Sequence, residues 1–232
     1  MFMFKQASLS AGSNAGLKTG FERLDDLIGI GDGIITLRCD SANWLFTLAA
    51  SMLVRNHSPS KRTLYLHWVD YHSRFWTIDY DFISACAKRI GANPSEVAGN
   101  LYFMRAFSAD SVESEENWEK IMAFASDLNF AVLDSVSELY EERPGRAGDK
   151  VKSQTYAIGM FSRMCLKNEC LGIVLDTSGR RIHPFLGELS SIILNLRIEK
   201  GLIAEVRKHP CMAERTIRIA SWGQQDLRRW AG

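Results

Sequence analysis

Two residue types are missing over a long interval of the sequence. The 232 residues include no glycine between Gly33 and Gly91 and no lysine between Lys18 and Lys61. A phosphate-binding loop needs glycines, because their backbone N–H groups turn inward on the phosphates, and a lysine that reaches the terminal phosphates. The interval from Gly33 to Lys61 therefore excludes a phosphate-binding loop of the usual composition.

The chain also has almost no net charge, no long apolar run and no closely spaced cysteine pair. The formal net charge is +1, so the chain as a whole does not attract nucleic acid, and any basic surface must be local. No apolar run approaches the roughly 20 residues that span a bilayer. The five cysteines are odd in number and include no CxxC pair. This cysteine usage predicts free thiols and an intracellular location.

Strands and helices alternate along most of the chain. Apolar runs without polar alternation, such as residues 34–37 (IITL) and 130–133 (FAVL), are typical of parallel strands buried on both faces. Near the C-terminal end, strands predicted at 191–198, 202–208 and 216–220 follow one another without a helix between them. This order predicts an α/β fold, with a mostly parallel sheet, helices on both faces, and antiparallel strands added at the C-terminal end. The other predicted strands are 63–68, 101–105 and 171–175, and the predicted helices are 21–28, 44–55, 79–90, 115–127 and 150–167.

The chain is predicted to contain one domain. Residues 1–18 are rich in Ser, Gly and Ala with few apolar anchors, which predicts a flexible N-terminal arm or linker. Residues 19–232 contain no internal repeat and no low-complexity tract. We therefore expect a single core domain over 19–232.

Several segments resemble, in the same order, segments of the RadA/RadB recombinases, the archaeal and eukaryotic branch of the RecA family. Each match is short, and the interpretation depends on their shared order along nearly the whole chain. The resemblance implies a RecA-type core and a role in homologous recombination and DNA repair. The matching segments are 19–29 (TGFERLDDLIG), 91–96 (GANPSE), 100–107 (NLYFMRAF), 130–135 (FAVLDS), 142–146 (ERPGR) and 217–223 (IRIASWG).

The resemblance also indicates a degenerate nucleotide site. If the sequence is aligned with the family on the strand before the loop, Asp40, Leu45 and Phe46 stand where the family has glycine, glycine and lysine, and only Thr47 matches. If it is aligned on the helix after the loop, the loop is deleted. Asp134 matches the carboxylate that holds magnesium in the family, although an Asp at a strand end also caps a following turn. We expect a pseudo-ATPase without catalytic residues, in which Thr47 and Asp134 are residual cofactor contacts.

Other features near this site bear on ligands. The rings of Trp44 and Phe46 are expected to fill space that phosphates would otherwise take. His67 and His72 lie near Asp70 in the sequence. No third well-spaced ligand accompanies them, so no metal site is predicted.

Basic residues in two loops, and two lysines just beyond the first loop, are predicted to contact single-stranded DNA. The first loop resembles the family's first DNA-binding loop, and the second resembles a shortened form of the second. Guanidinium groups on exposed loops bind phosphates, and such binding weakens with added salt. The alternative is a solvated loop whose cations pair with Glu141 and Glu142. The predicted DNA-binding residues are Arg143, Arg146, Lys150, Lys152, Arg180 and Arg181.

Three residues are predicted to bind a partner subunit. Phe4 and Ala7 resemble the FxxA tether by which family members dock on a neighbouring core, and a Phe on a mobile arm can fill such a pocket. Lys208 lies in a segment that, in the family, faces the adjacent subunit's nucleotide. The resemblance therefore implies a hetero-oligomer with another recombinase paralogue or a recombinase filament, and ATP and magnesium held by the partner at a shared interface.

The expected function is that of a non-catalytic recombinase paralogue, nuclear in a eukaryote and cytoplasmic in an archaeon. Two alternatives stay open. The first is a DNA-independent scaffold that keeps the fold for protein contacts alone. The second is a metal-dependent hydrolase that uses Asp70, Asp134 and Asp176 at the carboxyl edge of the sheet, where open α/β sheets bind ligands.

Overall fold

The computed structural model describes residues 16–29, 31–68, 80–106, 109–125, 127–134, 147–177 and 182–221. The strands in this part of the chain are β1 (Ile34–Cys39), β2 (Arg62–Trp68), β3 (Leu101–Ala106), β4 (Leu128–Asp134), β5 (Leu171–Thr177), β6 (Ser190–Ile198), β7 (Gly201–Lys208) and β8 (Arg215–Ser221). The helices are α1 (Glu22–Ile28), α2 (Ala42–Arg55), α3 (Tyr80–Arg89), α4 (Pro94–Gly99), α5 (Ala109–Glu113), α6 (Glu115–Phe124), α7 (Ala147–Lys167) and α8 (Pro184–Leu189).

The strands form one eight-stranded sheet in the order β3-β2-β4-β5-β1-β6-β7-β8. Neighbouring strands from β3 to β6 run parallel. The β6–β7 and β7–β8 pairs are antiparallel. The predicted α/β class is confirmed, including the antiparallel extension at the C-terminal end.

Helices cover both faces of the sheet and produce two hydrophobic cores. On one face, strand residues such as Leu37 and Tyr65 pack with buried residues of α1 to α4. On the other face, residues such as Leu66 and Val174 pack with residues of α5 to α8. We call these the α2 face and the α7 face. The central strands are buried on both sides, which explains their unbroken apolar sequences.

The predicted elements all have counterparts, but three short helices, α4, α5 and α8, were not predicted. A local signal for α4 is present in the sequence. The side chain of Asn93 accepts a hydrogen bond from the Ser95 N–H at 3.0 Å, and Pro94 occupies the first turn, an N-terminal signature of a helix. The predicted helix 115–127 ends earlier, at Phe124.

The chain joins the core just before α1. Leu17 is buried. The Lys18 N–H donates to Asn56 Oδ1 and the Lys18 carbonyl accepts from Asn56 Nδ2, both at 2.7 Å. Residues 17 and 18, at the end of the predicted arm, thus contact α2 and its C-terminal cap. No helix in the described ranges combines the length and apolar character needed to cross a membrane.

Candidate functional site

The connection between β1 and α2 consists of Asp40 and Ser41 alone. Ser41 caps α2, because its Oγ accepts a hydrogen bond from the Trp44 N–H at 3.3 Å. The Ser41 N–H itself points to the sulfur of Cys39 at 3.5 Å. The GxxxxGK[ST] motif extends over about eight residues, from the end of a strand into the first turn of the following helix. A two-residue turn leaves no loop to surround phosphates, which agrees with the alignment in which the loop is deleted.

Thr47, the single residue that matches the family at this place, lies inside α2. Its hydroxyl donates to the Asn43 carbonyl one turn earlier, at 2.9 Å. Leu45, in place of a loop glycine, is buried in the core. The side chains at these positions therefore serve the helix and its packing.

Trp44 and Phe46 pack against other aromatic rings. The Trp44 ring lies 6.2 Å from that of Phe21 at the start of α1, and the Phe46 ring lies 4.7 Å from that of Phe82 in α3. Both distances are typical of aromatic pairs. These rings join α2 to its neighbouring helices. That they also fill the space of lost phosphates stays a prediction.

Asp134 belongs to a buried cluster on the α2 face, which we call the Asp134 cluster (Tyr65, His67 and Asp134). The hydroxyl of Tyr65 donates to Asp134 Oδ2, and His67 Nδ1 lies 3.1 Å from the same oxygen. Asp134 is 6% exposed and His67 is 2% exposed. The cluster joins β2 to β4 near their carboxyl ends. The predicted magnesium ligand is thus engaged by two protein side chains, and the residues that it was expected to cap lie outside the described ranges.

A second buried pair lies on the α7 face. Arg38 Nε in β1 contacts Asp176 Oδ2 in β5 at 3.0 Å, and both side chains are almost fully buried. His183, just before α8, is nearby: burial lowers its pKa, and the Val151 backbone and the Asp176 carboxylate oppose this effect. The neutral imidazole is therefore favoured at pH 7.

Asp134 and Asp176 point to opposite faces of the sheet. Asp134 pairs in register with Leu175, and successive residues of a strand alternate between faces. The hydrolase alternative requires these two carboxylates in one site, together with Asp70, which lies outside the described residues. Within the described part of the chain, no group of three or more His, Cys, Asp or Glu residues could hold a metal ion.

A row of polar residues crosses five adjacent strands on the α7 face. It begins at the buried ion pair and ends at the exposed edge strand β8. Sequence reasoning missed the row because its first members lie on strands that are far apart in the sequence and become neighbours only in the sheet. The row consists of Asp176, Arg38, Asn195, Glu205 and Thr216.

Glu205 is the best-connected member of the row. Its carboxylate accepts from Asn195 Nδ2 at 3.3 Å and pairs with Arg197 at 3.3 Å and Arg207 at 2.8 Å. Burial opposes ionisation, but the Asn195 hydrogen bond and the two arginines outweigh it and lower the pKa of Glu205. These contacts neutralise part of the basic surface on β6 and β7.

Most of the predicted DNA-binding and tether residues cannot be placed. Arg143, Arg146, Arg180, Arg181, Phe4 and Ala7 lie outside the described residues. Lys150 and Lys152 lie in the first turns of α7, where Lys150 is half-buried and Lys152 is exposed. The backbone of Val151 approaches His183, so the start of α7 lies next to the segment before α8.

Lys208, the predicted contact to a neighbouring nucleotide, interacts within its own chain. Its ammonium donates to the carbonyls of Gly187 and Glu188 at 3.0 and 3.2 Å. These carbonyls belong to the last turn of α8, where a cation is electrostatically favourable. Lys208 therefore attaches β7 to α8.

Comparison with known proteins adds no family assignment. No protein-family model matches the sequence, and no curated protein matches it either. The resemblance to the RadA/RadB recombinases therefore stays a prediction from short segments, and function must be argued from the site.

Proposed function

We propose that this chain is a non-catalytic recombinase paralogue that acts in homologous recombination and DNA repair. It works as one subunit of a hetero-oligomer with another recombinase paralogue or a recombinase filament, and it contacts single-stranded DNA. ATP and magnesium, where the assembly uses them, are held by the partner at a shared interface. The ordered series of short family-like segments supports this proposal.

One observation supports the part of this proposal that gives the chain no ATP site of its own. The two-residue turn between β1 and α2 offers neither the glycine N–H groups nor the lysine that a triphosphate needs. The engagement of Asp134 by Tyr65 and His67 agrees with it, because a metal at that carboxylate would compete with two buried hydrogen bonds. Binding without hydrolysis suits a subunit that stabilises or caps a filament.

Support for DNA contact comes from the position of α7. Lys150 and Lys152 lie at its start, next to the predicted loop residues Arg143 and Arg146 in the sequence. Lys152 is exposed there, and an exposed cation can contact the phosphates of nucleic acid.

A salt-titrated binding assay tests the DNA contact. The chain, alone and with a recombinase-like partner captured by pull-down, is titrated with a fluorescent oligo-dT at several salt concentrations. Reversing Arg143 and Arg146 to Glu should weaken binding at least about tenfold and reduce the salt slope by about two, one for each lost phosphate contact. The matched control, Lys200→Glu on the exposed turn after β6, should leave both quantities unchanged.

The same assay distinguishes the proposal from the alternative of a DNA-independent scaffold. A DNA-independent scaffold would capture the partner equally well with and without the two reversals and would show no salt-dependent DNA binding in any form. That result would overturn the DNA-binding part of the proposal and leave the partner-binding part standing.

A further inference from the structure

A cavity of about 290 Å³ lies at the C-terminal end of α2. Its walls come from the segment before α1, the end of α2 and the turn after α3. A helix of 14 residues is about 20 Å long, so the cavity lies roughly that far from the β1–α2 turn. It is therefore separate from the candidate site.

Arg55 is an exposed residue that lines this cavity and is oriented by a side-chain hydrogen bond. Its Nε donates to Ser51 Oγ at 3.2 Å, and that hydroxyl donates to the Thr19 carbonyl at 2.8 Å. Gly20 has a φ of +97°, and a Cβ there would lie 2.8 Å from Arg55 Nε. The close approach thus depends on glycine. The terminal guanidinium nitrogens of Arg55 take part in no hydrogen bond or ion pair with the residues that the structure describes.

Two more nitrogen groups line the cavity on restrained backbones. The backbone of Lys18 is held by its two hydrogen bonds to the Asn56 side chain. His57 Nδ1 lies 3.3 Å from the Val54 carbonyl, and a proton on Nδ1 would make this contact a hydrogen bond. In that tautomer Nε2 is an acceptor, so His57 does not contribute to binding an anion.

The charge balance of the lining favours a monoanion. Lys18 and Arg55 contribute two positive charges, and Asp25 contributes one negative charge. One oxygen of Asp25 is already engaged, because Oδ1 accepts from the N–H and the hydroxyl of Thr19, both at 2.6 Å. The carbonyl end of α2 also disfavours a high negative charge. A dianionic phosphate fits this balance less well than a carboxylate.

We propose that the cavity binds a small organic carboxylate with an apolar body. The guanidinium of Arg55 pairs with the carboxylate through its two terminal nitrogens, the fork geometry that suits this group. Val54, Ile90 and Ala92 form the apolar side of the cavity. Ile90 is 41% exposed, and a bound hydrocarbon group would cover it. Nothing in this assignment depends on the proposed role in recombination.

Ligand-observed NMR titration with 4-phenylbutyrate, its amide and phenyl phosphate tests the proposal. In the wild-type chain the acid should bind at least about tenfold more tightly than the uncharged amide, because a charged hydrogen-bonded pair is lost. Phenyl phosphate should bind more weakly than the acid. Arg55→Gln should abolish the preference for the acid, whereas Arg215→Gln, an exposed arginine on β8, should keep it.

A second variant probes the apolar wall. Ala92→Leu narrows the cavity and should weaken the acid and the amide alike. Equal binding of acid and amide to the wild-type chain would overturn the proposal, and this comparison needs no variant that could misfold. Tighter binding of phenyl phosphate than of the acid, or an unchanged acid preference in Arg55→Gln, would overturn it as well.

Discussion

The Asp134 carboxylate receives hydrogen bonds from Tyr65 and His67 where solvent hardly reaches. A buried donor that loses its acceptor costs about 1–3 kcal/mol, and more where a charged group is involved. The stability of the strand edge therefore depends on this residue.

Replacing Asp134 by Ala should lower the free energy of unfolding by about 2–4 kcal/mol, because Tyr65 and His67 lose their shared acceptor. Urea denaturation measures this change. Glu119→Ala, which removes an exposed carboxylate on α6, serves as control and should change stability by less than about 0.5 kcal/mol. If both variants were equally stable, the structural role assigned to Asp134 would be wrong.

Because of the Cys39 thiol, the free energy of unfolding should decrease as the pH rises through the alkaline range. Burial raises its pKa from 9.0 to about 11, against the opposing hydrogen bond from the Ser41 backbone. The unfolded thiol ionises first as the pH rises, so the stabilising contribution is complete below about pH 9 and disappears towards pH 11.

The stability difference between the wild-type chain and Cys39→Ala should therefore shrink by about 1 kcal/mol between pH 8 and pH 10. Denaturation of both proteins at each pH cancels the other titrating groups. A difference that stays constant over this range would show that Cys39 ionises equally in the folded and unfolded states.

At the scale of single elements, residues at the end of a helix help to determine where the helix stops. Gly91 follows the last residues of α3, and its φ is +74°, a conformation that glycine tolerates better than other residues. Nothing lies within 4 Å of a Cβ built there. The requirement for glycine at this position is therefore one of backbone conformation alone.

Gly91→Ala should destabilise the protein by about 1 kcal/mol, since alanine is strained at positive φ. Gly99→Ala is the matched control: it has equal space for a Cβ but ends α4 without positive φ, and it should be neutral or slightly stabilising. Thermal unfolding of the two variants compares them directly. Equal effects would contradict the conformational explanation.

Local patterns could predict the strands and the longer helices, because apolar periodicity and end signals lie within a few neighbouring residues. The short helix α4 was not predicted, although Asn93 and Pro94 are typical of a helix N-terminus. The contacts of the site could not be predicted in the same way. Tyr65 and Asp134 are 69 residues apart, and Arg38 and Asp176 are 138 apart, so only the strand order brings them together.

At the scale of the whole molecule, the sheet separates the polar groups that the sequence suggested as one site. The Asp134 cluster lies on the α2 face, and the Arg38–Asp176 pair with its polar row lies on the α7 face. The β1–α2 turn lies at the carboxyl end of β1 and consists of two residues. At this edge the described residues thus include a two-residue connection after β1 and two buried polar groups, the Asp134 cluster and the Arg38–Asp176 pair.

Isothermal titration calorimetry of the purified chain with ATP and magnesium tests this account most directly. We expect no saturable binding up to about 1 mM, which corresponds to a binding free energy weaker than about −4 kcal/mol. Stoichiometric, magnesium-dependent binding that is lost in both Thr47→Ala and Asp134→Asn would contradict it, because it would place a triphosphate at the turn that we regard as closed.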